Sequence, residues 1–102
     1  MFRKEDTMVR VLTRERRTTQ PALFVLEAPF AKLVSVAGSF NNWNPKEHPM
    51  KKGRNGTWST QLSLTPGTYE YKFVVDGSWQ EDPRAEAYAQ NPFGTRNALF
   101  TV

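Results

Sequence analysis

A chain of 102 residues with 38% hydrophobic and 24% charged residues has the make-up of one globular domain, too short to build a deep cleft between two. The absence of cysteine excludes disulfides and thiolate metal sites, and with a single histidine no metal-ligand spacing is present. The formal net charge of +4 is unevenly spread: residues 1–17 carry six basic and three acidic groups, and residues 18–102 carry eight and seven.

The chain begins with a polar, basic stretch. Residues 1–18 read as a basic N-terminal arm whose short Met8–Leu12 run could add an edge strand, and residues 19–102 read as the folded domain. No apolar segment follows Met1–Asp6 and no run reaches membrane-spanning length, so neither a secretory signal nor membrane contact is expected, and the expected location is the cytoplasm.

Ala22-Leu23-Phe24-Val25-Leu26 is apolar at every position, the pattern of a strand buried on both faces, and Pro29 is expected to end it. The next strand places Val34, Val36 and Phe40 on one face and Ser35 and Ser39 on the other. Asn41 to Gly56 is punctuated by Pro45, Pro49, Gly53 and Gly56 and reads as loop. Trp58, Thr60, Leu62 and Leu64 then alternate with Thr57, Ser59, Gln61 and Ser63, which predicts a half-buried strand with Trp58 in the core. After the Pro66-Gly67 turn, Tyr69, Tyr71, Phe73 and Val75 form an inward face, leaving Glu70 and Lys72 outward. Asp76-Gly77 is a two-residue hairpin signal leading into Ser78–Glu81. Residues 82–96 read as a second long loop, and Ala98–Val102 as a closing strand. Six to eight short strands without a helix predict an all-β antiparallel sandwich.

Three loops carry the unusual residues. Trp43 sits among Asn41, Asn42, Asn44 and Pro45, and Trp79 among Ser78, Gln80, Glu81 and Asp82; large aromatics in such polar surroundings read as exposed rather than as core. Lys72 is placed to share a sheet face with Trp79 across the Asp76-Gly77 turn. Phe93, Thr95 and Asn97 alternate along the last loop. Flat rings beside amides, hydroxyls and an ammonium suit a ligand with apolar faces and hydroxylated edges, as a sugar ring has. No catalytic group is expected. His48 lies between Glu47 and Pro49 in a loop, there is no Gly-x-Ser-x-Gly turn, and Glu81, Asp82 and Glu86 read as solvated loop carboxylates rather than a pair flanking a scissile bond. No metal or other cofactor is expected.

The runs Val36-Ala37-Gly38-Ser39-Phe40-Asn41-Asn42-Trp43, Gly67–Trp79 and Phe93-Gly94-Thr95-Arg96-Asn97 together resemble carbohydrate-binding module family 48, over roughly residues 20–102. That family includes the glycogen-binding domain of AMP-activated protein kinase β subunits and the N-terminal domains of isoamylases and branching enzymes. The resemblance implies an immunoglobulin-like (early-set) sandwich and non-catalytic binding of α-glucan: glycogen, starch, maltooligosaccharide or cyclodextrin. It implies glucose-stacking rings at Trp43 and Trp79, hydrogen bonds from Lys72, Thr95 and Asn97, and an apolar projection at Phe93, where the kinase subunits have leucine. It also implies a glucan-metabolising enzyme or kinase as neighbour. Two other readings stand beside it. One is a structural module that docks on such an enzyme or regulator without binding sugar. The other is a single-stranded nucleic-acid binder, suggested by the sequence pI of about 9.7 and opposed by the near-neutral charge of residues 18–102.

Overall fold

The two clearly alternating segments, residues 57–64 and 68–75, each form a strand. The computed structural model describes residues 18–102, which contain β1 (Gln20–Glu27), β2 (Val34–Gly38), β3 (Lys51–Lys52), β4 (Thr57–Leu64), β5 (Thr68–Val75), β6 (Ser78–Gln80), β7 (Ala87–Gln90) and β8 (Arg96–Thr101). The described residues include no α-helix, only two short 3-10 turns at Ser39–Asn41 and Arg54–Gly56. The Met8–Leu12 run lies outside the described residues.

Two antiparallel sheets result. The smaller has the order β1-β4-β3; the larger runs β2-β5-β8-β7, with β6 also paired to β5. The domain is therefore the antiparallel β-sandwich that its patterning predicts. β5 is the organising strand. One edge pairs with β2 from Gly38↔Tyr71 to Val34↔Val75, while the other pairs first with β8, from Thr68↔Thr101 to Tyr71↔Ala98, and then with β6, from Phe73↔Gln80 to Val75↔Ser78. The β5–β6 turn needs a positive φ at both central residues, and Asp76 (φ 49°) and Gly77 (φ 87°) supply it. The Asp76 carboxylate then accepts from the backbone N–H groups of Leu33 (2.8 Å) and Lys32 (2.9 Å), fixing the entry to β2. These bonds hold its carboxyl below the usual carboxylate range.

Between the sheets lie Phe24 and Leu26 of β1, Val34 and Val36 of β2, Trp58 of β4, Tyr71 and Phe73 of β5, Ala98 of β8, and Met50. Phe24 meets Tyr71 edge-on with ring centres 5.0 Å apart, and Phe100 edge-on at 5.4 Å. Trp58 takes its expected core place, its indole N–H donating to the Ala28 carbonyl at 2.9 Å.

Three expectations need correction. β1 is buried on one face only: Phe24 and Leu26 point inward, but Leu23 is 67% exposed and Val25 41%. The pleat sends Phe24 and Leu26 into the inter-sheet core and the intervening Leu23 and Val25 to the other face of the small sheet, in which β1 is an edge strand. The stretch 82–96 is not all loop. Ala87–Gln90 pairs with β8 from Ala87↔Leu99 to Gln90↔Arg96, so residues 91–95 become the tip of a hairpin. Asp82 is not solvated. It is buried, accepts the Tyr71 hydroxyl and the Arg84 N–H (2.9 Å), and offers its backbone carbonyl to the Tyr88 hydroxyl at 2.6 Å. Burial, reinforced by the hydrogen bond to Asp82, raises Tyr71 far above the ordinary phenol range, so it stays a donor.

Candidate functional site

Alternation along β5 builds the floor of the site. Tyr71 and Phe73 face the core, so Glu70 and Lys72 point to the opposite side of the sheet. Val74↔Trp79 pairing brings the Trp79 ring to that same side. One wall is the loop after β2. Gly38 must be glycine because a Cβ there would meet the Glu70 carbonyl oxygen at 2.3 Å. The chain then turns sharply, with Asn42 (φ 56°) and Trp43 (φ 58°) both in the left-handed region and the Trp43 N–H bonded to the Gly38 carbonyl at 2.9 Å. A bulky residue there is strained by about 1–2 kcal/mol.

Asn41 holds this turn. It is buried, and its Oδ1 accepts from Gly38 N (3.0 Å) and Asn44 N (3.3 Å). Its Nδ2 donates to the Val36 carbonyl (3.2 Å) and to His48 Nδ1 (2.8 Å). With Asn41 Oδ1 engaged by two backbone donors, its NH2 is the group that faces His48, so His48 Nδ1 accepts. The chain then returns along the free edge of β2, with Val36 N–H bonded to the His48 carbonyl (3.1 Å) and Met50 N–H to the Val34 carbonyl (2.8 Å).

The opposite wall is the β7–β8 hairpin tip. Asn91 closes it: its N–H donates to the Thr95 carbonyl (3.0 Å), and its Oδ1 accepts from the N–H groups of Phe93 (2.9 Å) and Thr95 (3.2 Å). At the base, the Glu81 carboxylate takes three bonds from Arg96, from the backbone N–H (2.9 Å), Nε (3.2 Å) and Nη2 (2.9 Å). The same guanidinium lies 3.9 Å from the centre of the Tyr88 ring. The Arg96 side chain, with its backbone N–H, holds the Glu81 carboxyl below its usual range.

Between these walls lies a groove of about 700 Å³. All six residues singled out from the sequence line it: Trp43, Lys72, Trp79, Phe93, Thr95 and Asn97. The rings of Trp43 and Trp79 are 6.4 Å apart at 47° to each other. Trp79 is 47% exposed and Phe93, projecting from the hairpin tip, is 86% exposed. Lys72 and Asn97 are buried by the hairpin rather than solvated; Lys72 Nζ donates to Thr95 Oγ1 at 2.5 Å. Sequence reasoning missed Glu70 and Asn91 as lining residues, along with Pro92. Asn97 Nδ2 donates to Glu70 Oε1 (3.0 Å), and Asn91 Nδ2 donates to both Thr95 Oγ1 (2.7 Å) and Asn97 Oδ1 (2.9 Å). The signals for them were the shared face of Glu70 and Lys72, and the Asn-Pro-Phe-Gly turn pattern.

The groove therefore offers two angled aromatic faces, one exposed ring and a mixed edge of ammonium, hydroxyl, amide and carboxylate. Residues 21–102 match the model of the family described as the glycogen recognition site of AMP-activated protein kinase. The chain belongs to this family. Among its relatives, Protein FLOURY ENDOSPERM 6, chloroplastic, of Oryza sativa subsp. japonica is 42% identical over 72 residues, covering 71% of this chain and 13% of the rice protein. The 5'-AMP-activated protein kinase subunit beta-2 of Homo sapiens is 42% identical over 71 residues, covering 70% of this chain and 25% of the subunit. The 1,4-alpha-glucan branching enzyme GlgB of Bradyrhizobium sp. (strain BTAi1 / ATCC BAA-1182) is 39% identical over 75 residues, covering 68% of this chain and 10% of the enzyme. The chain thus spans a quarter or less of each of these relatives.

Proposed function

We propose that the domain binds α-glucan chains non-catalytically in the groove between Trp43 and the β7–β8 hairpin. The observation that carries this reading is the Trp43–Trp79 pair, two apolar platforms inclined at 47° directly beside Lys72, Thr95, Asn97 and Glu70. An α-linked glucan curves, so successive glucose rings present their C–H faces in different planes. Inclined platforms suit that curvature, whereas a flat chain would call for coplanar ones. Lys72, Thr95 and Asn97 bond the hydroxyl edges, and Phe93 reaches over the bound chain. Membership of a glycogen-recognition family and kinship with a glucan branching enzyme support the ligand class.

Each sugar hydrogen bond replaces one to water, so the net gain per polar contact is small. The expected Kd for a short glucan lies between about 10 μM and 1 mM, roughly −4 to −7 kcal/mol. Branched polymers gain by offering many chains at once. Affinity electrophoresis in gels containing glycogen or amylopectin tests the reading: the wild type should be retarded, and Trp43→Ala/Trp79→Ala should run free. Equal migration of both proteins would reject it.

A second reading has its own observation. Leu23 and Val25 stand exposed on the outer face of the small sheet, away from the inter-sheet core. That face suits docking onto a glucan-metabolising enzyme or kinase, and it leaves the groove open, so the two readings are compatible. Loss of enzyme association on Leu23→Ser/Val25→Ser, with glucan retardation kept, would separate them.

A further inference from the structure

A hydrogen-bonded chain of side chains crosses the groove wall, running from the Lys72 ammonium to the Glu70 carboxylate. Lys72 donates to Thr95 Oγ1, Asn91 donates to both Thr95 Oγ1 and Asn97 Oδ1, and Asn97 donates to Glu70 Oε1. Asn91 is the member that donates in both directions. Its two Nδ2 hydrogens go to Thr95 and Asn97, and its Oδ1 takes Phe93 N and Thr95 N, one bond for each lone pair. Asn91 has no capacity left for a ligand.

The consequence falls on Thr95. A hydroxyl has two acceptor sites and one hydrogen. Both acceptor sites of Thr95 Oγ1 are occupied, by Lys72 at 2.5 Å and Asn91 at 2.7 Å. Its own hydrogen must then point away from both donors, and Thr95 lines the groove.

We propose that Asn91 is the positioning residue of this groove: without touching the ligand, it turns the Thr95 hydroxyl into an obligate donor and so fixes the polarity of the hydrogen-bonding edge. This rests on the glucan reading above. The ligand atom opposite Thr95 is an oxygen with a free lone pair, a sugar hydroxyl or ring oxygen. A group that can only donate meets like polarity there. Asn97 is set in the same way. Its Oδ1 has one site taken by Asn91 and its Nδ2 one hydrogen taken by Glu70, which leaves one acceptor and one donor for a sugar hydroxyl. From Asn91 through Asn97 to Glu70 the donors run in one direction towards the carboxylate, so those two links polarise each other.

Asn91→Asp is the discriminating variant. An aspartate keeps the Oδ1 that accepts Phe93 N and Thr95 N, so the hairpin tip stays closed. It replaces the double donor with an acceptor, so the Thr95 hydroxyl swings to donate to it and no longer faces the ligand. Calorimetric titration with β-cyclodextrin should show about a five- to tenfold loss for Asn91→Asp and a similar loss for Thr95→Val, with the double variant no weaker than the poorer single one. If Asn91 merely closed the turn, Asn91→Asp would bind within about twofold of wild type, and the proposal falls; full additivity with Thr95→Val overturns it as well. A ligand-free measurement decides the assignment independently of any sugar. Both side-chain amide hydrogens of Asn91 should exchange with water more slowly than those of the exposed Asn42. Exchange as fast as that of Asn42 overturns the proposal. A wild type that binds no glucan but shows slow Asn91 exchange refutes the glucan reading and leaves the polarity of Thr95 in place.

Discussion

Two asparagines hold the two walls of the groove, and they do it differently. Asn41 and Asn91 each use both lone pairs on backbone N–H groups of their own turn, and each donates through both amide hydrogens. Asn41 is buried and aims its donors at the Val36 carbonyl and His48, which belong to the scaffold. Asn91 sits half-buried at a hairpin tip and aims its donors at Thr95 and Asn97, which face the groove. The first asparagine therefore acts on the fold and, through it, on the strained backbone of Trp43. The second acts on the polar side chains that line the groove. One side-chain type does both jobs because an amide satisfies a tight turn and still has donors to direct.

Breaking the scaffold beneath both walls sets the upper limit. Trp58→Ala should destabilise the domain by about 3–5 kcal/mol, since it empties a large core site and leaves the Ala28 carbonyl without its indole partner. Urea unfolding measures this. A value below about 1 kcal/mol would mean that Trp58 is not a core residue and that the division between core and groove rings is wrong.

The asparagines come next. Asn41→Ala strands buried backbone groups and should cost about 2–4 kcal/mol, whereas Asn91→Ala, at an exposed tip, should cost about 1 kcal/mol or less. Equal losses in urea unfolding would erase the contrast drawn between the two walls.

A smaller effect isolates the strain at Trp43. Trp43→Ala and Trp43→Gly both remove the ring, but only glycine accepts φ 58° without a steric cost. The glycine variant should therefore be the more stable of the two by about 1 kcal/mol, and both should lose glucan retardation. If alanine is the more stable, the turn has rearranged and Trp43 is not held under strain.

The smallest effect is electrostatic. Glu81 and Asp76 have folded-state carboxyls shifted below their unfolded values, so each favours the folded state once both forms are ionised, and that contribution is lost as protons bind on acidification. Thermal stability of the wild type should fall between about pH 5 and pH 2. Glu81→Gln should flatten that slope and, by loosening Arg96 at the base of the β7–β8 hairpin, act on the Asn91 wall alone. An unchanged slope would show that the Glu81–Arg96 pair contributes nothing measurable, as many exposed pairs do.

The sheet framework was legible because period-two alternation in residues 57–64 and 68–75 is a local property, and Asp76-Gly77 carries its turn in its own φ preferences. β7 was not legible. Ala87-Tyr88-Ala89-Gln90 has little strand propensity of its own and becomes a strand by pairing with β8. The exposure of Leu23 and Val25 was hidden for the same kind of reason, since an apolar run does not reveal whether its outer face will be covered. Within the groove, the rings announced themselves by their polar neighbours. The links between Lys72 and Thr95, and between Glu70 and Asn97, join residues 23 and 27 positions apart and exist only once β5 and β8 lie side by side. The compartment is another matter: the rice relative is designated chloroplastic, so the cytoplasmic expectation drawn from residues 1–6 finds no support in that kinship.

The most direct test of the central claim, that the Trp43–Trp79 face is a glucan platform and Trp58 is not, is a heteronuclear NMR titration of the wild type with maltoheptaose, following the three indole N–H signals. The account predicts saturable shifts in the Trp43 and Trp79 indoles and in the Lys72, Thr95 and Asn97 region, with the Trp58 indole unmoved. Shifts confined to Trp58 or to the Leu23–Val25 face, or no shift at millimolar maltoheptaose, would contradict it.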